Sequence, residues 1–250
     1  MKKSVKILGI SVGAVVGLAI IASVAVSLIA DPAKYKPEIE KAFADATGYK
    51  LSINGDIGVS LLPLPKAYVQ GVTVTNGAKQ LVEVEQINIY PEILPLLSGK
   101  KKISSILIKS PIITLEKAET GDNWATGEEA NKDKPQTAKS DLSIDNIEIE
   151  DGKLQFSNRI NGQNHVMDKI NIDASLASVD GPVNVDGKLE YNGMPMNLKA
   201  SVSNFADPKI FADIETKESK IKFDGAKTGG KLVLSSTDLS PLLSAAGINN

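Results

Sequence analysis

A six-residue pattern, apolar-x-x-apolar-x-apolar, recurs five times along this chain and leaves it few folds. It occurs at Val69, Val72, Val74; at Val84, Ile87, Ile89; at Ile103, Ile106, Ile108; at Ile144, Ile147, Ile149; and at Met167, Ile170, Ile172. The last two apolar positions of each copy alternate, which places them on one face of a strand. The two-residue step ahead of them shifts the phase and predicts a bulge or bend at the strand's start. The third and fourth copies extend further. Ile103, Ile106, Ile108, Pro111, Ile113 and Leu115 match Ile144, Ile147, Ile149, Gly152, Leu154 and Phe156 at a constant offset of 41. In both, a Pro or Gly breaks the run before another short strand. Ile-rich β proteins produce such matches by chance, but five copies in one phase weigh against chance.

The rest of the body reads the same way. Ile57, Val59 and Leu61 alternate, as do Val183, Val185, Leu189 and Tyr191, and Met194, Met196, Leu198, Ala200 and Val202. Turn dipeptides stand at Asn54-Gly55, Asn76-Gly77, Asp151-Gly152, Asn161-Gly162, Asp186-Gly187, Asn192-Gly193 and Gly229-Gly230. Strands at short spacing with hairpin dipeptides predict an antiparallel meander. Ahead of it, Tyr35, Ile39, Ala42, Phe43 and Ala46 fall at helical spacing. Pro37 is tolerated in a first turn and Gly48 is a natural stop, so a short amphipathic helix is expected from about Lys36. A polar segment, Lys117 to Ser140, reads as a loop or linker. Its Trp124, the chain's one tryptophan, either plugs back into the sheet or marks a contact site; the plug is favoured.

Before all this, Lys2, Lys3 and Lys6 precede Ile7 to Ala30, 24 residues without a charge. As a helix this run is about 36 Å long at about 1.5 Å per residue, enough for a hydrocarbon core of about 30 Å. It exceeds the apolar core of a secretory signal, so a retained transmembrane anchor is expected despite a weak cleavage site at Ala25-Val26-Ser27. The flanking lysines put the N-terminus in the cytoplasm and the body on the far side. Gly9, Gly13 and Gly17 form a small-residue stripe. It reads either as a helix-pairing face or as the ordinary small-residue content of membrane helices, the second being favoured.

Chemistry is hard to find. With 28 basic against 30 acidic residues, a net charge of −2 and a pI near 5.6, the chain lacks the basic face that nucleic acid asks for. With no cysteine, a disulfide framework and a thiolate metal site are excluded. His165, the single histidine, lies near a hairpin and reads as solvated rather than catalytic, because a general base needs a positioned partner. No nucleophile elbow, phosphate loop or zinc spacing is present. Glu148, Glu150 and Asp151 alternate with apolar residues as on a polar sheet face. A glycosidase-like carboxylate pair stays open with no residue singled out.

From Asp31 to Asn76 the chain resembles the amino-terminal region of the AsmA family of Gram-negative envelope proteins. The resembling residues are Asp31-Pro32, Tyr35-Lys36-Pro37, Ile39, Thr47-Gly48, Leu51, Ile53, Gly55-Asp56-Ile57, Ser60-Leu61 and Pro63. Leu94 to Gly99 followed by Ile103 and Ile106 is similar to the family's LLPLL-G segment and next strand. Gly121-Asp122-Asn123-Trp124 is similar to its G-x-N-W turn. Asp151 to Leu154 and Thr237 to Gly247 also look familial. Tyr49 departs from the pattern, where arginine often follows Thr-Gly. The resemblance implies a single-span inner-membrane protein with a periplasmic body, a β-rich groove-like sheet, and a role in outer-membrane assembly and phospholipid movement without enzymatic activity. Family members are usually longer, so the chain is expected to be a fragment or a short member.

The expected fold is mainly β: a transmembrane helix, a short amphipathic helix, then an extended, strongly bent antiparallel sheet. The expected divisions are residues 1–30 (cytoplasmic stub and anchor, with Ile7, Gly9, Gly13, Gly17 and Ala30), 31–116 (helix and first β section), 117–140 (polar loop) and 141–250 (second β section). The candidate apolar groove is Val72, Val74, Ile87, Ile89, Ile106, Ile108, Ile147, Ile149, Ile170 and Ile172. No cofactor, metal or nucleic acid is expected. The expected partners are the inner membrane, phospholipid and envelope assembly proteins. About a dozen strands at about 4.8 Å give ~60 Å, so a bridge between membranes would need more chain, copies or partners. The alternative is an anchored periplasmic scaffold whose apolar faces close into a filled sandwich that binds other proteins.

Overall fold

The computed structural model describes residues 32–92, 94–95, 102–125, 143–176, 181–204, 207–226 and 228–247. The expected anchor, Ile7 to Ala30, lies outside the described residues; among those described, no helix is long and apolar enough to cross a membrane. A single turn of 3₁₀ helix, Pro32–Tyr35, leads into α1, Lys36–Thr47. Pro37 sits in the first turn of α1, and Gly48 ends it at φ 76°, its N–H donating to the Ala44 carbonyl at 2.8 Å. This is a left-handed stop that a residue without Cβ takes readily. Ile39 and Phe43, one turn apart, form its buried face.

Thirteen strands follow: β1 Lys50–Ile53, β2 Ile57–Ser60, β3 Lys66–Asn76, β4 Lys79–Pro91, β5 Lys102–Lys109, β6 Ile112–Lys117, β7 Ser143–Asn158, β8 Gln163–Leu176, β9 Val183–Tyr191, β10 Met194–Val202, β11 Lys209–Glu215, β12 Ser219–Ala226 and β13 Gly229–Ser236. A short α2, Ser240–Ala245, ends the described chain. All thirteen strands join one sheet in the order β1-β3-β4-β5-β7-β8-β9-β10-β11-β12-β13, with β2 beside β3 and β6 beside β4 and β7.

The expectation of a purely antiparallel meander is corrected at the middle of the sheet. β7 runs parallel to both β5 and β6. The register explains it. Ile103 faces Ile144, Ile106 faces Ile147, Ile108 faces Ile149, Ile113 faces Leu154 and Leu115 faces Phe156, which is the offset of 41 along its whole length. The two repeat copies lie side by side pointing the same way. Parallel neighbours need a crossover instead of a tight hairpin, and the polar segment after Lys117 supplies that length. The break between short strands is also shared: Ser110 and Asp151, 41 residues apart, both have positive φ (47° and 51°).

Bulges sit where the two-residue step predicts them in two copies: at Lys169 (φ 49°), where the β8–β9 register slips, and opposite Ile103, where the β4–β5 register slips between Tyr90 and Pro91. In the first copy Gly71 has φ 61°, but β3 and β4 stay in register across it and slip instead between Val74 and Thr75. Three turn dipeptides are corrected: Asp151-Gly152 lies inside β7, Asp186-Gly187 inside β9, and Gly229-Gly230 opens β13, paired with Ala226 and Gly225. Asn192-Gly193 does make a tight hairpin, with φ 47° and 83°. Leu61, expected in a strand, falls just past the end of β2 and is 71% exposed.

Candidate functional site

Six of the ten candidate groove residues lie in a sealed core. Val72, Val74, Ile87, Ile89, Ile106 and Ile108 are all buried, together with Ile39 and Phe43 of α1. α1 is held over them through its side chains: Glu40 Oε1 accepts the Ile53 N–H at 2.8 Å, and Lys36 Nζ donates to the Gly55 carbonyl at 3.1 Å. Ile147 and Ile149 pack against the edge of this cluster, half-buried. Ile170 and Ile172 are half-buried outside it.

The register then shows what the sequence pattern missed. From Ala67 on β3, one row of facing residues runs Ile89, Ile106, Ile147, Ala174, Val185, Ala200, Ala212, Phe223, Leu232. A second row starts at Val69 and runs Ile87, Ile108, Ile149, Ile172, Gly187, Leu198, Ile214, Ile221, Leu234. Neither row contains a polar side chain. Each crosses ten strands, nine steps of about 4.8 Å or about 43 Å. Period-two alternation puts both rows on one face.

Cover along these rows fades from one end to the other. Ile89 and Ile106 are 1% and 0% exposed, whereas Leu232 and Leu234 at the far end are 67% and 47% exposed. The residues between, on β8 to β12, are mostly half-buried. Leu198, Ile214 and Ile221 are all only half-buried. The opposite face is charged: Glu148, Asp173, Asp186, Lys199, Asp213 and Lys222 face one another in sequence across the strands. Lys199 pairs with Asp186 at 3.4 Å and Lys222 with Asp213 at 3.7 Å. Such exposed pairs contribute little stability each, but they keep that face wet.

Aromatic rings border the apolar face at one end of its strands. Trp124 packs on Phe156 (ring centroids 6.1 Å apart), Phe156 on His165 (6.0 Å) and His165 on Tyr191 (5.9 Å). Trp124 is 7% exposed, so it is the plug that sequence favoured. Asn123 fixes it: its Nδ2 donates to the Thr114 carbonyl at 2.9 Å and its Oδ1 accepts the Glu116 N–H at 2.8 Å. His165 is not a free hairpin residue. It is half-buried, with Nδ1 2.6 Å from the Tyr191 hydroxyl. Among the described residues there is no cluster of His, Asp and Glu able to hold a metal ion.

A smooth aliphatic face with a charged reverse side can hold acyl chains or a second apolar layer. Compared with known protein families, the chain matches the AsmA family over residues 1–241. No curated protein matches it.

Proposed function

Because the chain belongs to the AsmA family, matched from residue 1 to residue 241, we propose that it holds phospholipid acyl chains against the open apolar face of its sheet. Family membership supports an envelope-biogenesis or lipid-transport type of protein in general terms. The finer reading has the Ile7 to Ala30 run anchor the chain in a Gram-negative inner membrane, with the body in the periplasm. The sheet bends into a groove whose sealed end lies under α1. The protein is not an enzyme, and its partners are phospholipid and outer-membrane assembly proteins.

The observation that carries this reading is the pair of uninterrupted apolar rows that leave the core and continue uncovered. Ten methylenes laid along them would contribute about 8 kcal/mol before the entropy of ordering the chain is subtracted. The register slips around Asp151 in β7 and Lys169 in β8 supply local bends of the kind that curve a sheet. The filled-sandwich scaffold would need another layer over the β9–β12 part of the rows.

The test places charge there and spares the core. Leu198→Asp and Ile221→Asp, made separately in the full chain, are expected to abolish co-purification of phospholipid in extracts read by mass spectrometry. Their circular dichroism should remain that of the parent. Parent protein that carries no phospholipid, or variants that carry as much as the parent, would sink the reading.

A further inference from the structure

The corner of the sheet nearest α1 carries an apolar patch that neither the core nor the two rows use. Leu61, Leu62 and Leu64, in the loop between β2 and β3, are 71%, 82% and 63% exposed, and Leu94, past the end of β4, is 81% exposed. Single exposed leucines are ordinary, but four gathered at one place are not. The register gathers them. Ala67 faces Ile89, so the start of β3 and the end of β4 lie side by side, and both loops leave the sheet at that end. Ser60 Oγ donates to the Leu62 carbonyl at 3.0 Å, holding the loop in shape.

The same corner is where the chain arrives from the expected anchor. The charge-free run stops at Ala30, and Pro32–Tyr35 follows at once and packs against β2. β2 is four residues long, about 13 Å at about 3.3 Å per residue, and Leu61 is the next residue after it. Charge agrees with this placement. Between Asp56 and Glu83 the charged residues are Lys66 and Lys79 alone, and Lys66 can reach headgroups from the base of the loop; beside Leu94, the carboxylate of Glu92 is paired with Lys102 at 2.6 Å, which offsets its repulsion of an anionic lipid surface.

We propose that Leu61, Leu62, Leu64 and Leu94 dip into the outer interfacial layer of the bilayer that holds the anchor, fixing this corner of the sheet on the membrane. This rests on the anchor reading above. It adds a second membrane contact, made by the folded body, that sets the sheet's orientation as well as its distance.

Because the sequence has no cysteine, single reporters can be placed cleanly. Leu62→Cys, Leu94→Cys and, as an exposed apolar control off both rows, Ile160→Cys in the β7–β8 turn (53% exposed) are labelled with an environment-sensitive fluorophore. The full chain is reconstituted in phosphatidylethanolamine–phosphatidylglycerol vesicles. The expected result is blue-shifted emission at positions 62 and 94, quenched several-fold more by shallow nitroxide lipids than at 160 and shielded from aqueous iodide. Adding Leu61→Asp, Leu62→Asp and Leu64→Asp to the Leu94→Cys chain should abolish the lipid quenching at 94 with the fold intact. Iodide quenching at 62 and 94 equal to that at 160, in a chain that resists carbonate extraction, overturns the proposal and leaves the anchor standing. Shielding from iodide without lipid quenching also overturns it, since the occupant is then protein. A chain stripped by carbonate overturns both readings.

Discussion

Tyr49 is where the sequence departs from the pattern it resembles, and the structure gives the departure a role. Its hydroxyl donates to the Trp124 carbonyl at 2.7 Å, tying the strand after α1 to the turn that seats the tryptophan. Burial pushes the phenol above its ordinary value, because the phenolate would lose water without gaining a cation. Tyr49→Phe is expected to cost about 1 kcal/mol at neutral pH, the typical net worth of one hydrogen bond, measured by chemical denaturation. A raised folded-state pKa means that the unfolded chain ionises first as pH climbs. The parent's advantage is therefore whole below about pH 10 and lost as pH rises through the folded value. The variant cannot ionise there, so the gap between the two should shrink in alkali. A gap that is constant with pH would show that the phenol is as well solvated as in the unfolded chain.

At the scale of elements, α1 and its glycine stop were legible because a 3.6-residue period with a terminal glycine has one common solution. Strand positions were legible from alternation. Direction was not. Hairpin dipeptides point to antiparallel neighbours throughout, and the offset of 41, which encodes the parallel register of β5 and β6 with β7, shows in the sequence only as a repeat. Asp186-Gly187 misled for a related reason. Gly187 is needed for space and not for a turn: a Cβ there would stand 2.6 Å from the Asn171 carbonyl oxygen and 2.8 Å from Ile172 Cγ1. Gly187→Val would fill the gap in the second apolar row only by pushing β8 and β9 apart. It is expected to destabilise by about 1–3 kcal/mol, the usual cost of overpacking, read as a lower thermal midpoint. An unchanged midpoint would mean that the strands separate freely at this point. The candidate residues were half legible in the same sense. Sequence places Ile106 and Ile172 on one face, but which of them lies under α1 depends on strand order, and strand order rests on contacts far apart in sequence.

Over the whole molecule, one apolar face serves two purposes in succession. Under α1 it is a core, with Ile89, Ile103 and Ile106 only 1%, 0% and 0% exposed. Beyond β7 it is a surface whose rows run without a polar break to β13, the last strand of the sheet. A sheet built this way is stabilised at one end and available at the other, and the sealed end is the one that adjoins the expected anchor. If acyl chains enter from the inner membrane at this corner, the distance between corner and bilayer controls loading. Inserting about 20 Gly/Ser residues after Ala30 would let the body drift by about 25 Å, at about 5–6 Å times the square root of the linker length. Phospholipid carried by the full chain, and envelope integrity measured by detergent sensitivity, are both expected to fall while the fold and membrane attachment persist. A body that acts only as a tethered scaffold would tolerate the insert, because protein partners in the periplasm remain within its reach. Undiminished lipid and integrity in the insert variant would therefore separate loading at this corner from mere attachment.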